Sequence, residues 1–224
     1  MIERIVATLR SHANPANVAG MARYGINPNG TLGVPVYILR RIAKECGRDH
    51  ALAEALWNSG IHEARILATL VDDPALVTAP QMDRWARDFD SWDVCDHACH
   101  NLFRYTPKAF AKARQWARAQ REYVRRAGFS LMAGLAVKDK QATDEQFAAF
   151  LPLIAEAASD DRNMVKKSVN WALRQIGKRN RRLHKLAIAA AEQIARQDSR
   201  SARWIAADAL RELRNPATIS RITR

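Results

Sequence analysis

From its first residue to about residue 214 the chain reads as helical segments of roughly 10 to 18 residues, separated by short loops rich in Gly, Pro, Asp and Asn. No stretch alternates β-branched with polar residues, and no Asn-Gly pair sits between two alternating runs, so no strand is expected. The expected helices span 1–12, 18–24, 36–46, 50–58, 61–71, 79–88, 92–104, 107–118, 121–137, 144–158, 163–180, 181–196 and 200–214. Pro35 stands at a helix start, Gly47 and Ser59-Gly60 break helices, and Asp72-Asp73-Pro74 forces a turn. Asp90-Ser91 supplies a cap, and Thr143 with Gln146 three residues on forms a capping box.

The chain is therefore all-α, and Leu173-Arg-Gln-Ile176 returns as Leu210-Arg-Glu-Leu213 after 37 residues. That interval belongs to helical-pair repeats, so the expected architecture is a superhelical solenoid of HEAT-like antiparallel helix pairs, forming one domain over 1–224. A compact helical bundle is the structural alternative.

The stretch 163–180, NMVKKSVNWALRQIGKRN, carries an unusual placement. At 100° per residue Val165, Val169, Ala172, Leu173 and Ile176 fall within an arc of roughly 80°, the stripe a packed helix buries. Lys167, Arg174 and Lys178 lie opposite, and Trp171 sits among them. Either the tryptophan packs on a neighbouring helix, or it is set among cations to meet a polyanion.

Charge favours the second possibility. The net charge is +13 with a pI near 10.3, which points to nucleic acid or an anionic surface. Residues 161–224 hold 16 Lys and Arg against 5 Asp and Glu, whereas 1–160 hold 20 against 18. The surplus is regional.

Two other helices repeat the pattern. Trp92 and Asp96 are four residues apart on one helix edge, away from Val94, Ala98 and Leu102. Ordinary helix-start electrostatics would also place an acid there. In 121–137 the expected core stripe is Val124, Gly128, Leu131 and Leu135, and Arg126 projects from the far side beside Ser130 and Ala133. A guanidinium fork there matches a phosphate. If these are inner helices of successive pairs, Trp92, Asp96, Arg126 and Trp171 converge on one groove. Its expected DNA-binding flank is Arg125, Lys166, Lys167, Arg174, Lys178, Arg179, Arg181 and Arg182.

The segments SWDVCD (91–96), VRRAGFSL (124–131) and KKSVNWALRQIGKRN (166–180) resemble the signature segments of bacterial DNA alkylation repair glycosylases of the AlkD type, built of HEAT-like repeats. The resemblance extends from about Tyr24 to about Leu213, and the third segment is its most specific part. It implies that Trp92 and Trp171 are the family's paired active-site tryptophans, Asp96 its catalytic aspartate and Arg126 its backbone-contacting arginine. The implied reaction is hydrolysis of the N-glycosidic bond of cationic alkylated purines such as 3-methyladenine and 7-methylguanine in duplex DNA, without flipping the base.

No base-reading pocket with an aromatic sandwich and amide side chains is legible, and no lysine stands beside Trp92 or Asp96 to form a Schiff base. Strand cleavage is therefore not expected, and what the resemblance implies is a monofunctional hydrolase in base excision repair, without a cofactor. Cys95, His97, Cys99 and His100 invite a metal reading, but no second ligand pair follows them, and free cysteines serve as small buried hydrophobes. With three cysteines and no long apolar run, the expectation is a cytoplasmic, nucleoid-associated monomer with no membrane partner. The competing class is a non-enzymatic helical-repeat scaffold that binds nucleic acid or an acidic protein. A carboxylate inside a cationic groove separates the two, because a pure scaffold gains nothing from it.

Overall fold

A computed structural model describes residues 1–222, and among them every regular element is a helix. The chain divides into two units, Met1–Thr106 and Pro107–Arg224.

The first unit holds α1 (Ile2–Ser11), α2 (Pro15–Arg23), α3 (Val36–Cys46), α4 (His50–Asn58), α5 (His62–Val71), α6 (Ala79–Arg87) and α7 (Trp92–His97). Side-chain caps start several of them: Asn14 accepts from the Ala16 and Asn17 amides, Asp49 from Leu52, and Thr78 with Gln81 forms a capping box. Bonds between helices keep a fixed sequence offset. Glu54 to Arg84 spans 30 residues, Trp57 to Asp88 spans 31, His62 to Asp93 spans 31 and Thr69 to Asn101 spans 32. A constant offset along two helices means that they run the same way. Thus α4 parallels α6 and α5 parallels α7, and the short 59–61 connection turns α5 back against α4. Each repeat is a helix pair of about 31 residues. The core is anchored by Trp57 and Trp85, whose rings stack at 4.0 Å.

The second unit holds α8 (Ala109–Trp116), α9 (Glu122–Lys138), α10 (Asp144–Ala148), α11 (Leu151–Ala157), α12 (Asn163–Gly177), α13 (Arg181–Ala195), α14 (Arg200–Leu213) and the short α15 (Pro216–Ile219). Its offsets are longer: 38 for Arg126 to Met164, Asn170 to Asp208 and Arg174 to Glu212, and 36 for Asp144 to Asn180. The 37-residue echo is therefore a physical repeat, with α12 and α14 in matching places. Val165, Val169, Ala172, Leu173 and Ile176 are all fully buried, as the helical stripe requires.

Three expectations need correction. The helix expected over 92–104 is α-helical for only six residues, then passes into a π turn, Ala98–Leu102, and a 3₁₀ turn, Phe103–Tyr105. The helix expected over 144–158 breaks at 149–150, because Pro152 has no N–H for the Ala148 carbonyl and its ring would clash there. Finally, α9 has no far side: every residue from Arg126 to Ala136 is buried. The helix lies so close to α8 that a Cβ on Gly128 would sit 2.4 Å from the Ala117 nitrogen.

Candidate active site and nucleic-acid interface

In the first unit, Trp92 and Asp96 occupy the single regular stretch of α7, one turn apart and both half-buried. What fixes this short helix is its start. Ser91 sits at the N-cap position but does not cap; its hydroxyl accepts the Asn27 N–H at 2.9 Å, and Asp90 accepts from the Asn27 side chain at 2.9 Å. The expected cap thus ties α7 to the 25–35 loop. That loop is held in turn by Glu63, 1% exposed, whose carboxylate accepts the amides of Leu32 (2.9 Å), Gly33 (2.6 Å) and Val34 (3.1 Å). The Trp92 indole donates to the Tyr24 carbonyl at 3.1 Å.

Beneath Trp92 lies a chain of polar groups that sequence reasoning missed. Asp93, 9% exposed, meets His62 Nε2 at 2.9 Å. Burial works against a charge on His62, but the hydrogen bond and the charge of Asp93, with Glu63 and Asp90 nearby, outweigh it and hold the imidazole pKa above its ordinary value. His97 goes the other way: burial lowers its pKa. Asn101, placed by the π turn, donates to His97 Nδ1 at 3.0 Å and to the Thr69 hydroxyl at 3.1 Å, which suits a neutral His97 ring. His62 and Asp93 stand one 31-residue repeat apart, an interval that the 37-residue echo in the sequence does not give. A cleft of about 520 Å³ opens here, walled by Tyr24, Ile26, Val34, Trp92, Asp93 and His97. Asn17, Asp93 and His97 supply its polar side chains, Asp93 and His97 standing three residues and one residue from Asp96.

In the second unit the expected cations separate by what already engages them. Arg126 does not project: it is 6% exposed, and its guanidinium donates to the Met164 carbonyl at 2.8 Å, pinning α9 to the first turn of α12. Arg125 pairs with Asp160 at 3.2 Å. Arg179 donates to the carbonyls of Ala136 (3.1 Å) and Ala142 (2.9 Å) and covers the Phe147 ring at 4.2 Å. Arg174 and Lys178 both bind Glu212, which outweighs the burial of that carboxyl and holds its pKa below the usual range. Arg182 pairs with Glu145. Lys167 and Arg181 are exposed, and Lys166 lies over the ring of Trp204, its ammonium 5.0 Å from the centroid. Trp171 is half-buried, and its indole N–H reaches the Gln175 amide oxygen at 3.2 Å once that amide is turned to face its donors. Among the described residues no group of three or more His, Cys, Asp or Glu could hold a metal ion, and no helix is long and apolar enough to cross a membrane.

A family model described as DNA alkylation repair enzyme matches residues 5–220. Among solved structures, one described as "A new family of proteins related to the HEAT-like repeat DNA glycosylases with affinity for branched DNA structures" aligns over 94% of both chains, at 18% identity and a TM-score of 0.77. A designed armadillo repeat protein in complex with the peptide (KR)4 aligns over 82% of this chain and 78% of its own, at 13% identity and a TM-score of 0.38. None of the curated proteins matches. The first of these structures shows the fold to be the HEAT-like helical-repeat class.

Proposed function

The chain belongs to the DNA alkylation repair enzyme family, its role is in DNA repair, and we propose that it is a monofunctional glycosylase hydrolysing the N-glycosidic bond of cationic alkylated purines in duplex DNA. The lesions that suit it are 3-methyladenine and 7-methylguanine. The observation that carries the proposal is the pairing of Trp92 with Asp96 one turn apart on α7, both reachable by solvent. Residues 1–224 act in this reading as one repair domain, a monomer in the cytoplasm at the nucleoid, with no cofactor.

An N-alkylated purine already bears positive charge and departs without protonation. The barrier lies in the oxocarbenium character that grows on the sugar. The Asp96 carboxylate stabilises that cation and orients the attacking water. At about 4 Å and an effective dielectric near 20 the attraction is worth roughly 4 kcal/mol, an upper bound because Asp96 is partly solvated. At ~1.4 kcal/mol per decade this supplies up to about a thousandfold. The ring faces of Trp92 and Trp171 add on the order of 1–2 kcal/mol. Lys166, Lys167, Arg181 and the exposed Arg182 meet phosphates, while Arg125, Arg126, Arg174, Lys178 and Arg179 hold the helices that carry them.

The test is incubation with methylated duplex DNA, followed by analysis of free bases. Release of 7-methylguanine or 3-methyladenine is expected. Binding without release would overturn the proposal and leave the second reading, a non-catalytic DNA-binding scaffold. That reading draws on the similar structure whose description records affinity for branched DNA.

A further inference from the structure

Of the six tryptophans only Trp204 is exposed, at 42%. Trp57 and Trp85 stack on each other inside the first unit, Trp116 is buried, Trp92 bonds Tyr24, and Trp171 meets Gln175. Trp204 makes no hydrogen bond among the described residues. Its one ring contact among the described residues is the Lys166 ammonium, contributed by α12.

A structural staple between α12 and α14 does not account for this. The two helices are already joined by Asn170 to Asp208 and by Arg174 and Lys178 to Glu212, above a row of buried apolar side chains. A staple would also bury its ring. Around Trp204 on α14, Arg200 is one turn before it and exposed, while Arg203 and Arg211 are paired with Asp198 and with Asp208, which stands one turn after it. Lys167 is exposed beside Lys166.

We propose that Trp204 is a stacking platform for an unpaired nucleobase, with Lys166, Lys167 and Arg200 taking the phosphates on either side of it. The inference rests on the reading of the second unit as DNA-binding. The chemistry selects the ligand. The face of an indole ring is electron-rich and offers nothing to a phosphate. In an intact duplex both faces of each base are covered by its neighbours. Only a base freed from the stack presents a face to the ring, as at a gap, a flap or an extruded nucleotide, and cations beside an aromatic are the arrangement that single-strand binding uses.

The measurement is binding of the full chain at one fixed salt concentration to two fluorescein-labelled probes, an intact duplex and the same duplex interrupted by a short single-stranded gap. Trp204→Ala should weaken binding to the gapped probe about tenfold and to the intact duplex by less than about twofold. Trp204→Phe, which keeps a ring and the fold, should retain most of the gapped-probe affinity. Equal losses on both probes would mean contact with the duplex backbone and would overturn the proposal, as would no loss on either. If the unmutated protein binds neither probe, the DNA reading of the second unit fails with it. Binding of both probes with indifference to Trp204 removes the stacking role alone.

Discussion

The two units differ in charge and in how their inner charged side chains are met. Residues 1–106 carry 11 Lys and Arg against 12 Asp and Glu, and their interior polar groups are carboxylates: Glu63 on three backbone amides, Asp72 on His50 and Gln81, Asp93 on His62. Residues 107–224 carry 25 against 11, and two of their arginines turn onto carbonyl oxygens, the buried Arg126 on Met164 and the half-buried Arg179 on Ala136 and Ala142. Both solve the same problem, because a buried polar group must be bonded and a buried charge costs more than it returns unless it is met. The difference lies in what remains outside. The first unit keeps acidic groups beside its cleft, and the second keeps a cationic surplus on its surface. A cation that develops on a sugar needs the former, and a phosphate backbone needs the latter.

The sharpest way to break this division is Asp96→Asn. The shape stays and the charge goes, so release of 7-methylguanine in single turnover should fall by about two to three orders of magnitude. DNA affinity, assigned to the other unit, should hold or rise. Unchanged release would remove Asp96 from the chemistry and turn attention to Asp93, which walls the cleft.

Arg126→Ala probes the second unit's interior. Because this side chain is buried on the Met164 carbonyl, its loss should cost about 2–3 kcal/mol of stability, read as a lower urea midpoint at constant slope. A loss of DNA affinity with unchanged stability would restore the projecting arginine expected from sequence.

That contrast marks where the sequence was legible. The helical fold, the repeat and the buried stripe of α12 follow from periodicity, which reports how one helix meets its core. Two helix ranges, 36–46 and 50–58, were read to the residue because Gly47 and Ser59-Gly60 end them. Periodicity fails where a helix is surrounded on all sides, and α9 is packed tightly enough that a stripe and its far side are equally buried. It also says nothing of partners distant in sequence. Hence Asp93 with His62, the Glu63 cradle, the π turn that aims Asn101 and the exposure of Trp204 came only from the structure. Residue type and helix edge leave Trp92, Asp96 and Trp171 open to ordinary packing and helix-start electrostatics, and it is the resemblance of the segments 91–96 and 166–180 to a repair-enzyme family that singles them out.

Trp171→Ala should cost about ten- to thirtyfold in base release, in line with a cation–π contribution of roughly 1–2 kcal/mol, so it is milder than Asp96→Asn. A larger loss than that of Asp96→Asn would move the centre of the chemistry into the second unit.

Within the cationic surface, engagement should decide which side chains count. Binding to duplex DNA should be nearly indifferent to sequence, with log K falling against log salt at a slope of roughly −5 if about six phosphates are neutralised. Lys167, exposed, should contribute about one unit of that slope, whereas Lys178, held by Glu212, should contribute little. Salt titrations of Lys167→Ala and Lys178→Ala test this, and equal slopes would show that the Glu212 pair opens readily for DNA.

The smallest effect concerns pH in the first unit. His62 has a folded-state pKa above its unfolded value of about 6.5, so its bond to Asp93 contributes stability in full below that pH and loses it as pH rises through the folded value. His97, whose pKa burial lowers, has the opposite sign: its contribution is present above about 6.5 and is lost as pH falls. The two curves partly cancel in the unmutated protein, so the comparison must isolate one of them. His62→Gln keeps a donor towards Asp93 but removes the proton equilibrium. In urea titrations its destabilisation relative to the unmutated chain should be greatest near pH 5.5 and should shrink towards pH 8.5. Growth of that difference with pH would mean that His62 meets Asp93 as a neutral ring, and that the first unit stores one charge fewer beside its cleft than this account requires.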